Sequence, residues 1–157
     1  MIIKQLVDED FVNYKKPSMF VGFPKCSFKC DKECGMQVCQ NSTLALSQNI
    51  NIDTNRLVER YLSNPITHAI VCGGLEPIDT FDELIEFVSV LRENTEDDIV
   101  IYTGYYKNEI LYNINELSKF KNIIVKFGRF IPNQEKHFDE TLGVYLASNN
   151  QYSERIS

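Results

Sequence analysis

The stretch HAIVCGGLEPIDTFDELIEFVSVLRENTEDDIVIYTGY, residues 68–105, decides the fold. It begins with a short apolar run at 68–72, which predicts a buried strand. Apolar residues then recur at helical spacing between Leu84 and Leu91, behind a Thr80-Phe-Asp-Glu83 pattern typical of a capping box. A second apolar run at 98–104 predicts the next strand. A strand, a helix and a strand in this order predict a right-handed βαβ unit.

The same alternation continues on both sides of this stretch. Upstream, we expect a strand at 18–22 and a helix at 54–63, and downstream a helix at 107–119 and a strand at 122–128. A further short strand is expected at 144–146. The predicted fold class is therefore α/β, with a parallel sheet built from βαβ units. Because a closed eightfold barrel needs about 250 residues, we expect an incomplete, partial TIM-like barrel.

Composition and charge narrow the class of protein. A length of 157 residues predicts a single domain, 1–157. The net charge of −6 and the sequence pI near 4.9 argue against non-specific nucleic-acid binding, which needs a basic face. No apolar run is long enough to predict a membrane span. Since residues 1–11 carry an acidic stretch where a signal peptide would be apolar, we expect a cytoplasmic protein.

Cysteines are concentrated in one loop, residues 23–41, which contains Cys26, Cys30, Cys34 and Cys39. Cys72 lies apart and is expected to pack before the following glycines. In a reducing compartment, clustered thiols bind metal more often than they form disulfides. Structural zinc sites usually use four closed ligands, often as distant pairs, whereas iron–sulfur clusters are often held by closely spaced cysteines. The spacing leaves zinc and iron–sulfur open.

Polar or glycine-rich segments follow four of the predicted strands. The cysteine loop follows the first, and Gly73-Gly74-Leu75-Glu76-Pro77, Thr103-Gly104-Tyr105 and Gly128-Arg129-Phe130 follow the others. Ligands bind at the carboxyl ends of parallel strands, so these segments are expected to converge on one rim. Glycines after a strand often only allow the chain to turn. Glu76 makes a binding site the stronger interpretation, because its carboxylate can accept hydrogen bonds from an amino group.

The order of these segments resembles the radical S-adenosylmethionine superfamily. More narrowly, it is similar to the activating protein of the anaerobic (class III) ribonucleoside-triphosphate reductase. The similar elements are the cysteine loop, the GGLEP segment at 73–77, IYTGY at 101–105, GRF at 128–130 and ASNNQ at 147–151. The resemblance implies a [4Fe–4S] cluster held by three cysteines, with S-adenosylmethionine on the fourth iron. It also implies reductive cleavage to a 5′-deoxyadenosyl radical, which would take a hydrogen atom from a glycine of a partner enzyme.

The resemblance assigns Cys26 and Cys30 as the first two cluster ligands. In the family the loop is CxxxCxxC, so two residues separate the second and third cysteines. In this chain three residues separate Cys30 from Cys34, and eight separate Cys30 from Cys39. We favour Cys39, because the segment Cys39-Gln40-Asn41-Ser42-Thr43 resembles the family's third cysteine and the residues after it. Cys34 is the alternative. No catalytic residue is expected beyond the cluster itself.

The resemblance also implies an S-adenosylmethionine site. Its expected residues lie at the strand ends and on the closing element: Gly73, Gly74, Glu76, Thr103, Gly104, Gly128, Ser148 and Asn149. Lys126 precedes Gly128 on the same rim, where it either meets a carboxylate of the cofactor or extends along apolar surface.

The expected partners are a glycyl-radical enzyme, such as anaerobic ribonucleotide reductase, and an electron-donating redox protein. No nucleic-acid or membrane partner is expected. A short, incomplete barrel would leave one side of the radical site open to a loop of the partner. The alternative function, from another class, is a non-catalytic zinc-binding module that docks other proteins.

Overall fold

The computed structural model describes residues 1–157 as a mixed α/β fold around one large sheet. In chain order the strands are β1 (Ile2–Ile3), β2 (Gln5–Asp10), β3 (Ser18–Phe23), β4 (Ile50–Asn51), β5 (Ala69–Gly74), β6 (Asp98–Tyr102), β7 (Ile123–Phe127), β8 (His137–Asp139), β9 (Val144–Leu146) and β10 (Tyr152–Arg155). The helices are α1 (Lys29–Cys34), α2 (Ser42–Ala45), α3 (Thr54–Leu62), α4 (Phe81–Asn94) and α5 (Leu111–Leu117), with 3₁₀ turns at Pro77–Thr80 and Lys107–Glu109.

The large sheet has six strands in the order β10-β7-β6-β5-β3-β2. Its four central strands, β3, β5, β6 and β7, are parallel, and their positions follow the sequence prediction to within two residues at each end. The edge strands β2 and β10 are antiparallel and were not predicted. Seven residues connect β2 to β3, which is too short for a parallel crossover. An incomplete barrel stays a prediction for this sheet.

One face of the sheet is covered by the three longest helices. Residues such as Ile70, Ile99 and Val125 point to this face and pack against α3, α4 and α5 in a core of 22 buried residues. Cys72 belongs to the same core and is fully buried, as the sequence predicted. Burial raises the pKa of the Cys72 thiol well above its ordinary value. Cys72 therefore takes no part in the cysteine loop.

The opposite face of the sheet carries no helix and has a smaller core. Alternate residues of the central strands point to it, and Val71, Val100 and Ile124 pack there against Tyr14 and Leu142. Toward the carboxyl ends of the strands this packing gives way to a cavity. The alternation of side chains therefore assigns the helical core to one face and the cavity to the other.

Helix boundaries show where local sequence signals were sufficient. Of the two candidate caps before this helix, Asp53 and Thr54, it is Asp53 that caps α3, since its side chain accepts a hydrogen bond of 3.1 Å from the backbone N–H of Arg56. The Thr80 capping box does not form, because Thr80 ends a 3₁₀ turn that runs directly into α4. The predicted helix at 107–119 is divided into the turn Lys107–Glu109 and the shorter α5.

The acidic run at 93–98 predicts by its charge a solvated helix end, and that prediction is wrong for its last residue. Asp98 is 6% exposed and accepts hydrogen bonds from Tyr14, Lys16 and Arg155 at 2.9, 2.5 and 2.9 Å. Although burial opposes ionisation, these donors hold the pKa of Asp98 below its usual value. None of the helices is both long enough and apolar enough to cross a membrane.

Candidate iron–sulfur site

A cavity of about 540 Å³ lies on the face opposite α3, α4 and α5, at the carboxyl ends of β3, β5, β6 and β7. Its volume falls within the range of about 300–1,000 Å³ usual for small-molecule sites. Ten of the residues singled out from the sequence line it: Cys26, Cys30, Cys39, Gly73, Gly74, Glu76, Thr103, Gly104, Lys126 and Gly128. The expected convergence of the strand-end loops is therefore present in the structure.

Three of the four clustered thiols belong to this cavity. Cys26, Cys30 and Cys39 line it, whereas Cys34 does not. Cys34 is the last residue of α1, and Gly35 follows it in the left-handed conformation with φ of 67°. The chain turns away from the cavity there and returns to it at Cys39.

The position of Cys26 is fixed by contacts between the cysteine loop and the segment after β5. The N–H of Glu76 donates a hydrogen bond of 2.7 Å to the carbonyl of Lys25. On the other side of Cys26, the N–H of Ser27 donates a hydrogen bond of 2.6 Å to the Asp79 carboxylate. The second oxygen of Asp79 accepts a hydrogen bond of 2.6 Å from the Tyr105 hydroxyl. The residues on both sides of Cys26 are thus held by the GGLEP segment and the turn that follows it.

Cys30 lies on α1, and a network of charges holds this helix over the strand ends. Arg129 is 6% exposed and makes two hydrogen bonds to Glu109, at 2.9 and 2.6 Å. Its Nε lies 2.9 Å from the carboxylate of Glu33 on α1. Lys29, also on α1, lies 3.5 Å from Glu109. Together these pairs attach α1 to the loops after β6 and β7.

The segment that carries Cys39 is attached at two points. One oxygen of Asp31 accepts hydrogen bonds of 2.8 Å from the backbone N–H groups of both Val38 and Cys39. The side chain of Asn41 donates a hydrogen bond of 2.6 Å to the carbonyl of Gly74 at the end of β5. Cys39 is therefore tied both to α1 and to the sheet.

Glu76 is the buried acid of the cavity and is 4% exposed. Burial raises its pKa to about 7, even though hydrogen bonds from Gly104, Thr103 and Ile78 favour the carboxylate. The hydrogen bond from the N–H of Gly104 measures 2.8 Å and that from the N–H of Ile78 measures 3.2 Å. Glu76 thus presents a desolvated carboxyl group between the ends of β5 and β6.

Lys126 is the buried base of the cavity and is 7% exposed. Burial lowers its pKa to about 8, and the nearby charge of Glu76 opposes that shift. The ammonium donates a hydrogen bond of 2.9 Å to the carbonyl of Gly128 and lies 5.9 Å from the centre of the Tyr102 ring. Since its side chain points into the cavity, Lys126 does not extend along an outer apolar surface.

Glycines at the strand ends allow close approach of the backbone. Gly74 has φ of +81°, and a Cβ there would lie 2.7 Å from the Cα of Gly22. Gly104 differs, because a Cβ there would point between Glu76 and Cys30, 3.6 and 3.7 Å from their polar atoms. Gly74 therefore serves the fold, whereas Gly104 keeps space open beside Cys30.

Two residues expected in the S-adenosylmethionine site do not line the cavity. Ser148 is fully buried, and its hydroxyl accepts a hydrogen bond of 3.3 Å from the N–H of Ile131. Asn149 is exposed, and its N–H donates a hydrogen bond of 3.0 Å to the side chain of Gln134. Both residues hold loops behind the rim.

Sequence reasoning missed part of the cavity wall. Gln151 is 6% exposed and lines the cavity, where its side-chain amide donates to Gly128 and accepts from Ala147 and Ser148. Other lining residues come from β2, the β2–β3 turn and the hairpin of β8 and β9, among them Asp10, Val12, Asn13 and Tyr145. Gln151 closes the ASNNQ element, whereas β2, the β2–β3 turn and the β8–β9 hairpin carry no motif, so only the fold brings those three segments to the site.

The donor set can be tested against the two metals that the sequence left open. No group of three or more His, Cys, Asp or Glu side chains lies close enough together to hold a single metal ion. A zinc ion with Zn–S bonds of about 2.3 Å would bring its thiolates within about 4 Å of one another. A four-iron cluster binds each cysteine through a different iron, which leaves the thiolates farther apart. Three thiols line the one cavity, and a cluster held by three cysteines would leave one of its four irons open.

Burial disfavours the charged form of two of the cavity thiols. Burial raises the pKa of Cys26 to about 12, and it also raises the pKa of Cys30. Thiols bind metals as thiolates, and a bound metal centre lowers the pKa of its ligands. These desolvated thiols would therefore become thiolates only with a metal centre bound.

These features define the class of an iron–sulfur protein. The sequence matches the family described as a 4Fe–4S single cluster domain over residues 16–152, which is most of the chain. The chain belongs to this family. No curated protein and no solved structure matches it.

Proposed function

We propose that this chain is a radical S-adenosylmethionine protein, which cleaves S-adenosylmethionine reductively to a 5′-deoxyadenosyl radical and activates a glycyl-radical enzyme such as anaerobic ribonucleotide reductase. One observation carries the proposal. Three thiols, a buried acid and a buried base line the same cavity at the ends of parallel strands, in a member of a 4Fe–4S family. The order of the sequence motifs supports it independently.

Cys26, Cys30 and Cys39 are the proposed cluster ligands. Three protein thiolates would leave one of the four irons free for a small molecule. When bound, the cluster would supply the electron that breaks a carbon–sulfur bond of S-adenosylmethionine. The remaining cavity is the proposed place of that molecule, because Gly73, Gly74 and Gly104 fill little of it.

The methionine end of S-adenosylmethionine carries an ammonium and a carboxylate. Glu76 and Lys126 are the buried acid and base of the cavity, and we assign the ammonium to Glu76 and the carboxylate to Lys126. Each ligand charge would compensate a desolvated protein charge, which makes such pairs strong in a buried site. Thr103 and Gly104 would border the nucleoside.

The mouth of the cavity supports a macromolecular target. Val12 and Tyr145 line the cavity and are 73% and 69% exposed. Phe138 packs against Tyr145 with ring centres 5.4 Å apart and is 52% exposed. Exposed apolar groups at the mouth of a site favour contact with a protein. A loop of a glycyl-radical enzyme is the proposed occupant, with an electron-donating protein as the second partner. Reduced thiols fit the cytoplasm as the proposed location.

The function is tested by strictly anaerobic reconstitution with iron and sulfide. We expect a brown protein with about four irons per chain, as the family description implies. Cys26→Ala should lose the colour, and dithionite with S-adenosylmethionine should release 5′-deoxyadenosine from the native chain only. One tightly held zinc and no cleavage would instead support the zinc-binding module. A separate assay mixes the reduced protein with anaerobic ribonucleotide reductase, and absence of a glycyl radical by electron paramagnetic resonance would contradict that partner.

A further inference from the structure

Asp31 has an unusual position between two of the proposed ligands. It follows Cys30 directly on α1, yet one of its carboxylate oxygens accepts both N–H groups at the far end of the loop, from Val38 and Cys39 at 2.8 Å each. A carboxylate that accepts backbone N–H groups makes stronger hydrogen bonds than a neutral acceptor. The side chain of Asp31 thus closes residues 31–39 into a loop.

This closure has a consequence for the third ligand. The loop carries Cys34 on α1, outside the cavity, and returns the chain to the cavity at Cys39. Cys39 follows Cys30 by nine positions, about twice the interval from Cys30 to Cys34. Each doubling of a flexible loop makes its closure roughly threefold less favourable. Without an internal tie, Cys39 would therefore be the entropically weaker ligand.

We propose that Asp31 is a positioning residue for the iron–sulfur cluster, which selects Cys39 as the third ligand by fixing its backbone and keeps Cys34 outside. The proposal rests on the proposed function, because it assumes a cluster on Cys26, Cys30 and Cys39. Asp31 acts through the backbone of Cys39 and does not itself bind iron. The same tie exists without a cluster, so it can be measured in the apoprotein.

The first measurement is hydrogen exchange in the apoprotein. In Asp31→Ala the amides of residues 38 and 39 should exchange at least about tenfold faster, because the loss of a charge-assisted hydrogen bond is worth about that factor or more. Asp31→Asn keeps an acceptor oxygen but loses the charge, so its exchange should lie between that of the native chain and that of Asp31→Ala. Lys32→Ala, an exposed neighbour on α1, is the matched control. Amides of β6 report on whether each variant keeps its fold.

The second measurement is the rate at which an iron chelator bleaches the anaerobically reconstituted protein. Asp31→Ala should bleach at least about tenfold faster than Lys32→Ala, in the range found when a group that orients a metal ligand is removed. Asp31→Asn should restore most of the difference. Adding Cys34→Ser should change the rate little in the native chain, where Cys34 lies outside the cavity, but should speed bleaching further in Asp31→Ala, where Cys34 is no longer kept out; no further change there would overturn the selection of Cys39 over Cys34.

The two measurements test different parts of the proposal. Unchanged exchange at residues 38 and 39 in Asp31→Ala would overturn the tie itself. Faster exchange with native bleaching would overturn its role in holding the cluster. If the native chain takes up no cluster, the proposed function fails and the ligand role fails with it, whereas the exchange result still reports on the tie.

Discussion

The backbone N–H of Gly104 donates a hydrogen bond of 2.8 Å to the carboxylate of Glu76. This bond links the loop after β6 to the loop after β5 across the floor of the cavity. The other carboxylate oxygen accepts a hydrogen bond from the N–H of Ile78. Glu76 therefore organises the site before any ligand binds, and its removal should affect both the fold and the binding of S-adenosylmethionine.

Glu76→Ala is expected to destabilise the apoprotein by about 2–3 kcal/mol, because it leaves two backbone donors without their acceptor. Glu76→Gln keeps an acceptor oxygen and should cost about 1 kcal/mol or less. Both variants should bind S-adenosylmethionine more weakly after reconstitution, since both lose the negative charge. Urea unfolding and equilibrium dialysis measure the two effects. Equal stability of the two variants would contradict the structural role of Glu76.

Cys39→Ser is expected to lose the cluster, whereas Cys34→Ser should retain it, because only Cys39 lines the cavity. Removal of a direct ligand should lower the affinity for the cluster by more than the roughly 10–100-fold that removal of one outer-shell group costs. Iron analysis after anaerobic desalting measures the difference. The reverse pattern, with retention in Cys39→Ser and loss in Cys34→Ser, would reassign the third ligand.

Gly104→Ala should leave the fold nearly unchanged, since the added Cβ would meet Glu76 and Cys30 only at ordinary contact distances of 3.6 and 3.7 Å. The methyl group would occupy cavity space, so binding of S-adenosylmethionine should weaken. Gly128→Ala is the contrasting variant, because Gly128 has φ of +97° and its Cβ would lie 2.9 Å from the carbonyl oxygen of Asn150. We expect it to cost about 2 kcal/mol or more. Thermal unfolding of both apoproteins, with binding assays, separates the two glycines.

Stability should fall in acid through Glu109. The hydrogen bonds from Arg129 lower the pKa of Glu109 from 4.5 to about 2. A carboxyl group whose pKa is lowered by folding stabilises the protein above its unfolded pKa. That contribution is lost as the pH falls from about 4.5 toward about 2. It is modest, because the side chain of Glu109 is 28% exposed.

Urea unfolding of the apoprotein at a series of pH values provides the test. Glu109→Gln should be less stable than the native chain at neutral pH, and the two should converge in acid. Curves that stay parallel through the acid range would show that Glu109 does not carry this dependence.

Asp98→Asn should destabilise the protein by about 2 kcal/mol, because a buried carboxylate with three donors becomes an amide with one acceptor oxygen. Exposed Glu93, in the same acidic run, is the matched control, and Glu93→Gln should change the free energy of unfolding by less than about 0.5 kcal/mol. Chemical denaturation compares them. If Asp98→Asn had the same free energy of unfolding as the native chain, the prediction would be wrong, and Tyr14, Lys16 and Arg155 would not depend on Asp98 as their partner.

The chain itself carries the signals for its central elements. Short apolar runs predicted β3, β5, β6 and β7, and helical spacing predicted α3 and α4, because the strands are buried on both sides and the helices on one. The loops that follow parallel strands converge by topology alone, which is why ten of the expected site residues line one cavity. Burial of Cys72 followed from its place in an apolar strand.

Tertiary structure alone decided the features that depend on contacts between distant segments. The edge strand β10 has only four residues, and β2 reads QLVDED, with four polar positions out of six, so neither carries a strong apolar pattern. Asp98 lies in an acidic run that reads as solvated, yet donors from residues 14, 16 and 155 surround it. Spacing could not decide between Cys34 and Cys39. The fold brings Cys39 to the cavity and leaves Cys34 outside it, and the hydrogen bonds that Val38 and Cys39 donate to Asp31 leave no signature in the donating residues.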